Sequence, residues 1–290
     1  MITAIDSTSN PNLIIIGGGK WGNKVFNILA NEYPNVILIA ARDFLNSPQV
    51  LARNESNTIF WICSRPDLQL SIVGQLVQLN VHKIIIEKPY FKTKSEFDSL
   101  AHIIRNSTRT KFFVSEPWLH SALWREGKEA IFKLNESFPR IRIKINRGSN
   151  DLRDFINPVQ DWLPHDIGLI FDLAMTLGKS KVDFLGVPII KRNLFRGKSI
   201  IGDKIEIDFA IGYIPEGRTA LWIVESPNDS FIINFTNLSI QNQKDIKNIS
   251  AKRFSADNPL VNQYEWIAQQ KSDDFLLDKL SLHKKALILT

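Results

Sequence analysis

Three short clusters in this chain combine residue types that bind anions or move protons. Gly17-Gly18-Gly19-Lys20-Trp21-Gly22 has the spacing G-x-G-x-x-G. Glycines at that spacing permit a tight turn and let backbone N–H groups approach a pyrophosphate at a helix N-terminus, the alternative being a purely structural strand–helix turn. Glu87-Lys88-Pro89 sets a carboxylate and an amine ahead of a proline. The proline fixes its own φ and biases Lys88 toward an extended conformation, so the amine is presented from a stiff turn. In "DWLPHDIGLIFDLAMTLG", Asp161 and His165 stand four residues apart, a spacing that puts both on one face of a helix. Pro164 reads as a first-turn residue, in which case the pair straddles the helix start. A histidine, with its ordinary pKa near neutrality, suits general acid–base work. Asp161 is placed to orient it or to touch a substrate. Asp166 reads as an N-terminal helix charge. A metal site is the other use of such a pair, but no further His/Cys cluster supports it.

The elements around these clusters alternate. "NLIIIGGG" is a buried strand entering the glycine turn, and "KWGNKVFNILANEY" a helix with apolar residues at Val25, Ile28 and Leu29. Strands follow at 36–41, 58–63, 83–87 and 111–116, separated by helices at 67–80 and 94–106. Continuous apolar strands alternating with helices predict a parallel sheet covered on both faces, a Rossmann-type doubly wound α/β domain. Lys88 then falls just after the fourth strand, at the carboxyl edge where open α/β sheets bind ligands. Beyond residue 116 the rhythm changes to a helix (119–135), a strictly alternating strand "RIRIKIN", the Asp161/His165 helix, four further strands and two closing helices. The expected organisation is a loose tail at 1–11, a dinucleotide-binding domain at 12–117, and an α+β domain at 118–290 built on an open, mostly antiparallel sheet. The last helices are free to pack back on the first domain.

The end of the second strand bears on which dinucleotide fits. An acid there binds a ribose 2′-hydroxyl, whereas an arginine accommodates a 2′-phosphate. The chain reads "IAARD": alanines stand at the acid's place and Arg42 follows, which favours NADP(H) over NAD(H), with Asp43 the alternative ribose ligand. Net charge is +6, from 36 Lys and Arg against 30 Asp and Glu. The basic residues are scattered, without the basic helix or zinc spacing of a nucleic-acid module, so the balance reads first as a solvated basic surface, with an anionic substrate or cofactor the alternative. No apolar run is long enough for a membrane span. Cys63 is the only cysteine, and a reducing, cytoplasmic setting is expected. Of the other histidines, His82, His102 and His283 read as structural or exposed. His120, just after "SEPW", is a candidate cleft residue. Trp118, Trp124 and Trp162 are candidates for an aromatic cleft wall, with core packing the alternative and the favoured one for Trp124.

Taken together, "GGGKWG" after the first strand, "EKP" after the fourth and "DWLPHDIGLIFDL" resemble the glucose-fructose oxidoreductase, inositol dehydrogenase and MocA-type family of NAD(P)-dependent oxidoreductases. The likeness covers roughly residues 12–180 in order and spacing. It implies that Lys88, Asp161 and His165 surround the reacting carbon, that hydride passes between nicotinamide and substrate, and that His165 or Lys88 handles the proton. It also implies that Ser64 and Arg65, in the loop "CSRPD", border the nicotinamide. Glu87 either holds its turn or touches the nicotinamide ribose. The family often carries a histidine in the helix after that loop, where this chain has Leu68, Gln69 and Leu70. It often has an asparagine after the fifth strand, where this chain has Glu116-Pro117. The substrates implied are sugars, polyols or nucleotide sugars. Reduction of an imine or another unsaturated nitrogen compound is the alternative enzyme reading, and a non-catalytic dinucleotide-binding regulator the third. The open sheet implies a homo-oligomer, a dimer or tetramer.

Overall fold

The computed structural model describes residues 13–48, 58–151, 158–179, 181–191, 194–242, 251–254, 257–270 and 272–288. The expected tail at 1–11 lies outside them. The chain forms two compact units: residues up to Ser115 with Leu260–Leu277, and Glu116–Pro259 with Asp278 onward.

In the first unit, β1 (Leu13–Ile16), β2 (Val36–Ile39), β3 (Ile59–Ile62), β4 (Lys83–Ile86) and β5 (Lys111–Val114) form a parallel sheet in the order β2-β1-β3-β4-β5. Helices α1 (Lys20–Ala30), α2 (Ala41–Asn46), α3 (Pro66–Gln78) and α4 (Lys94–Asn106) lie between strands. Strands β1, β3 and β4 are buried at every position, as apolar runs covered on both faces should be. Thr93 caps α4 by accepting from the Glu96 N–H. The second strand is shorter than expected. It ends at Ile39, and Ala41 opens α2, because burial of Phe44 draws this short helix onto the unit. Helix α7 (Pro259–Gln269) returns here, burying Leu260, Tyr264 and Ile267 against Leu13, Val25 and Trp61. The buried Lys83 ammonium donates to the carbonyls of Ile267 (2.8 Å) and Ala268 (2.7 Å), satisfying the end of that helix.

The second unit opens with a 3-10 turn (Pro117–His120), then α5 (Ala122–Ser137), β6 (Ile141–Ser149) and α6 (Pro158–Thr176). Strands β7 (Val182–Lys191), β8 (Leu194–Ile201), β9 (Ile205–Tyr213), β10 (Thr219–Glu225), β11 (Ser230–Asn234), β12 (Ser239–Asn242) and β13 (Ala251–Arg253) follow, and α8 (Leu276–Ile288) closes the unit. The sheet order is β13-β12-β11-β10-β6-β9-β8-β7, antiparallel except for the parallel pair β6–β9. Strands β8, β12 and β13 extend the expected set. Period-two alternation puts Ile141, Ile143 and Ile145 on the face packed by α5 and α6. The opposite face carries cross-strand ion pairs: Arg142 with Asp208 (2.6 Å) and Lys144 with Glu225 (2.7 Å).

Two expectations about α6 are corrected. It starts at Pro158, not Pro164, so Pro164 lies inside it and Asp161 and His165 are both fully helical. An internal proline costs about 3 kcal/mol. Burial of Val159, Leu163, Ile167, Ile170 and Leu173 on the sheet outweighs it. Asp166 is not a helix-end charge. It is fully buried and bridges both ways to Arg147 on β6, Nε to Oδ2 at 2.6 Å and Nη2 to Oδ1 at 2.8 Å, while the Trp222 indole N–H adds a third bond at 2.8 Å.

Removing one partner of such a pair strands the other charge in an apolar core. Asp166→Ala is expected to lower stability by about 3–5 kcal/mol, measured by urea denaturation. A loss below about 1 kcal/mol would contradict the pair's structural role.

Candidate active site

The candidate residues fall in two groups: in the first unit, loops at the carboxyl ends of the parallel strands, and in the second unit, one helix. The glycine cluster leaves β1 with Gly17 at φ +133°, a backbone region side chains avoid. A Cβ there would sit 2.5 Å from the Cys63 carbonyl oxygen and 2.7 Å from the Ser64 nitrogen. The loop after β1 therefore packs flush against the loop after β3. A Cβ on Gly22 would overlap the Gly17 carbonyl. Gly18 and Gly19 are exposed, and a Cβ on either would meet nothing within 4 Å. The first turn of α1 carries no acid and no side-chain cap, and Lys20 begins it. Its N–H groups and the positive end of the helix dipole thus lie beside two glycines with open space in front of them, whose carbonyls accept from the Asn23 amide. This cradle fits a dinucleotide's pyrophosphate. Trp21 is half-buried, with the Lys24 ammonium 5.4 Å from its ring centre.

The exposed Arg42 lies in the first turn of α2, just past the end of β2. Ser64 is half-buried, and Arg65 is exposed and paired with Asp67 at 3.2 Å. Lys88 is half-buried in the turn after β4, and its bond to Pro89 is cis. Beneath it Glu87 is buried. The Trp61 indole donates to its Oε1 (3.0 Å), its own N–H donates to the Ile62 carbonyl (3.2 Å), and its carbonyl accepts from the Gln69 amide (3.0 Å). Burial pushes the Glu87 carboxyl above its ordinary pKa, although Ser115, Trp21, Lys88 and Trp61 all favour the anion. These contacts fit the turn-holding alternative for Glu87. Gln69, one of the three residues Leu68, Gln69 and Leu70 near which the resemblance leads one to look for a histidine, is bonded to that turn.

In the second unit, Asp161 is buried and His165 half-buried, one helical turn apart on α6. Trp124 is core: it is buried, its indole donates to Asp172 (2.7 Å), and it packs edge-on against Trp222. Trp118 and Trp162 are partly buried against the same core, and Trp118 meets Phe235 edge-on at 5.3 Å. His120 is half-buried, and burial lowers its pKa to about 4, so it is neutral near pH 7.

One constellation escaped the sequence reading. The Glu116 carboxylate, 4 % exposed, lies 3.3 Å from the Lys279 ammonium and 3.8 Å from His283 Nε2. Burial opposes its charge, but Lys279 and His283 bring its pKa below the ordinary value. Lys279 and His283 are four residues apart on α8, a visible signal, but their partner lies far away in sequence. Among the described residues no cluster of three or more His, Cys, Asp or Glu could hold a metal ion.

No protein-family model matches this chain, and no curated protein does. Solved structures share its fold. A dehydrogenase from Clostridium difficile aligns with TM-score 0.71 at 17% identity over 97% of this chain and 98% of that one. A 3-ketoreductase from Actinomadura kijaniata, in complex with TDP-benzene and NADP, gives TM-score 0.74 at 12% identity over 97% of both chains. A scyllo-inositol dehydrogenase from Lactobacillus casei, with bound NAD(H) and scyllo-inositol, gives 0.69 at 12% identity over 97% and 96%. The chain thus has the two-part fold of these dehydrogenases and reductases.

Glu87 supplies a pH test. A carboxyl whose native pKa is raised binds a proton more tightly folded than unfolded, so its contribution to stability falls as pH rises from the ordinary carboxylate range to the raised native value. Glu87→Gln keeps an acceptor for Trp61 and removes the charge. Its melting temperature relative to wild type is expected to rise from pH 4 to pH 8. A difference that stays flat or reverses would show that Glu87 is not held against its charge.

Proposed function

We propose that this protein is an NAD(P)-dependent oxidoreductase acting on a small molecule, with a sugar, polyol or nucleotide sugar as the substrate class. The observation that carries this reading is the open glycine cradle on α1, joined in one chain to Lys88 in its stiff turn and to the helical Asp161/His165 pair. The shared fold supports it. Gly17, Gly19, Lys20, Trp21 and Gly22 would hold the pyrophosphate, Arg42 the adenosine ribose and its 2′-phosphate, and Ser64 and Arg65 the nicotinamide side. The dinucleotide, when bound, supplies or accepts the hydride.

The chain's own residues do the rest. The Lys88 ammonium hydrogen-bonds the substrate oxygen whose C–O order changes, and so favours the reacting orientation. Glu87, bonded to Trp61 and lying under the turn, keeps Lys88 in place. His165 takes the hydroxyl proton in oxidation and returns it in reduction, and Asp161, one turn earlier, orients the imidazole. Trp118, His120 and Trp162 would line the substrate side. His120, held neutral, offers a hydrogen bond without a charge. The protein works in the cytoplasm as a homo-oligomer, and the ion-paired outer face of the second sheet is the surface through which copies would associate. An imine or other unsaturated nitrogen substrate is the second reading. It is favoured by Glu116 standing after the fifth strand, where the resemblance leads one to look for an asparagine.

Lys88→Met and His165→Ala are each expected to lower kcat by about 100-fold or more while cofactor affinity, measured by fluorescence titration, stays within a few-fold. A screen that follows nicotinamide absorbance over sugars, nucleotide sugars and cyclic imines supplies the substrate. Unchanged kcat in both variants would remove these residues from the chemistry.

Binding of NADPH is expected to be tighter than that of NADH, and Arg42→Ala should erase the difference. Equal wild-type affinities would contradict the role given to Arg42.

A further inference from the structure

Four residues of α6, Asp161, His165, Gly168 and Asp172, follow one another at steps of four, three and four, and so form one stripe along the helix. Gly168 is the informative member. A Cβ at that position would overlap Oε1 of Glu116 and lie 2.8 Å from its Cδ. The carboxylate is therefore seated directly on the helix backbone, one turn beyond His165. Cβ positions three residues apart on a helix are about 5–6 Å apart, which puts the Glu116 carboxylate within about 8 Å of the His165 Cβ. Glu116 is buried, and its charge is sustained by Lys279 across 3.3 Å.

We propose that Glu116 is a positioning residue for His165: its carboxylate, balanced against Lys279, sets the proton affinity of the imidazole. This inference rests on the reading of His165 as the proton-transfer group, and it adds a component which that reading does not contain.

The charged and titratable groups packed around this stripe leave the Glu116–Lys279 pair as the adjustable element. Asp166 is neutralised by Arg147 on β6, and Asp172 by Lys128 on α5 at 2.8 Å. His120, in the 3-10 turn, is neutral near pH 7. His283 on α8 has its pKa lowered by burial, against the pull of Glu116. Asp161 lies on the far side of His165 and is present in every variant below. Removing the Glu116 charge takes a negative charge away from the ring's surroundings and disfavours the imidazolium. Removing the Lys279 charge takes a positive one away and favours it. The two changes must act with opposite sign, which no purely structural role predicts.

The test is an NMR titration of the His165 ring, assigned with a His165→Gln variant, in the wild type, Glu116→Gln and Lys279→Met. Charges at this separation in a half-buried setting are expected to move the midpoint by about half a pH unit to one unit, downward in Glu116→Gln and upward in Lys279→Met. The acid limb of the turnover profile should move with it. Midpoints that stay put, or that move in the same direction in both variants, would overturn the proposal. Should either variant fail to fold, Gly168→Ala keeps every charge but displaces the carboxylate, and it must move the midpoint. An unmoved midpoint there overturns the proposal equally. Opposite shifts of the ring without a matching shift in turnover would uphold the role of Glu116 and remove His165 from proton transfer, so the two failures are told apart.

Discussion

The second unit depends on a charge pair that an apolar core would ordinarily reject. Asp166 and Arg147 are 0 % and 3 % exposed, and two buried ions repay their desolvation only when their geometry is good and their remaining hydrogen-bonding capacity is met. Here the guanidinium binds both carboxylate oxygens, and Trp222 adds an N–H to one of them. The arginine lies 5.5 Å from the Phe235 ring centre as well. Apolar contacts alone would let α6 rotate or slide on the sheet with a modest penalty. A bidentate pair cannot be moved by one residue without stranding two charges. Asp166 therefore fixes the rotation of α6, and the stripe bearing Asp161, His165 and Gly168 follows at about 100° per residue.

The same device recurs in the first unit. Glu87 is buried beside Lys88, held through its carboxyl by Trp61 and through its carbonyl by Gln69. In both units the residue proposed to handle the substrate's proton or oxygen adjoins, in sequence, a carboxylate locked by a tryptophan N–H. A side chain next to such an anchor has little backbone freedom, which is what positioning a reacting group requires. The anchors differ in charge state. Asp166 is matched by a cation, whereas Glu87 is pushed toward its neutral form by burial.

Much of this was legible in the sequence where a local pattern carried it. Strands β1, β3 and β4 are apolar runs, and the glycine cluster has one feasible context, a strand entering a helix. Local rules failed where tertiary packing overrode them. Pro164 signals a helix start, yet the apolar residues before it extend α6 back to Pro158. Asp166 looks like an ordinary first-turn acid until Arg147 is noticed in phase with Ile141, Ile143 and Ile145. A cation on the covered face of an alternating strand must have a partner, and that signal was available. The Glu116, Lys279 and His283 cluster showed only its half on α8, because its carboxylate stands about 160 residues earlier, against a glycine whose reason is that carboxylate.

Glu116 also bears on how one fold serves different chemistries. The fold is shared with solved structures at 10–17% identity, so few side chains are needed to hold it. Gly17 and Gly22 are required because backbone occupies the space their side chains would need. Gly168 is required for a different reason: it makes room for a charge. A helix glycine that costs about 1 kcal/mol relative to alanine, placed to admit a buried carboxylate that itself requires a lysine, is a chain of dependencies that stability alone would not favour. An apolar residue at 116 with alanine at 168 would pack as well and remove all three demands. The arrangement makes physical sense if the carboxylate acts on its surroundings, and the nearest titratable group along that stripe of α6 is His165.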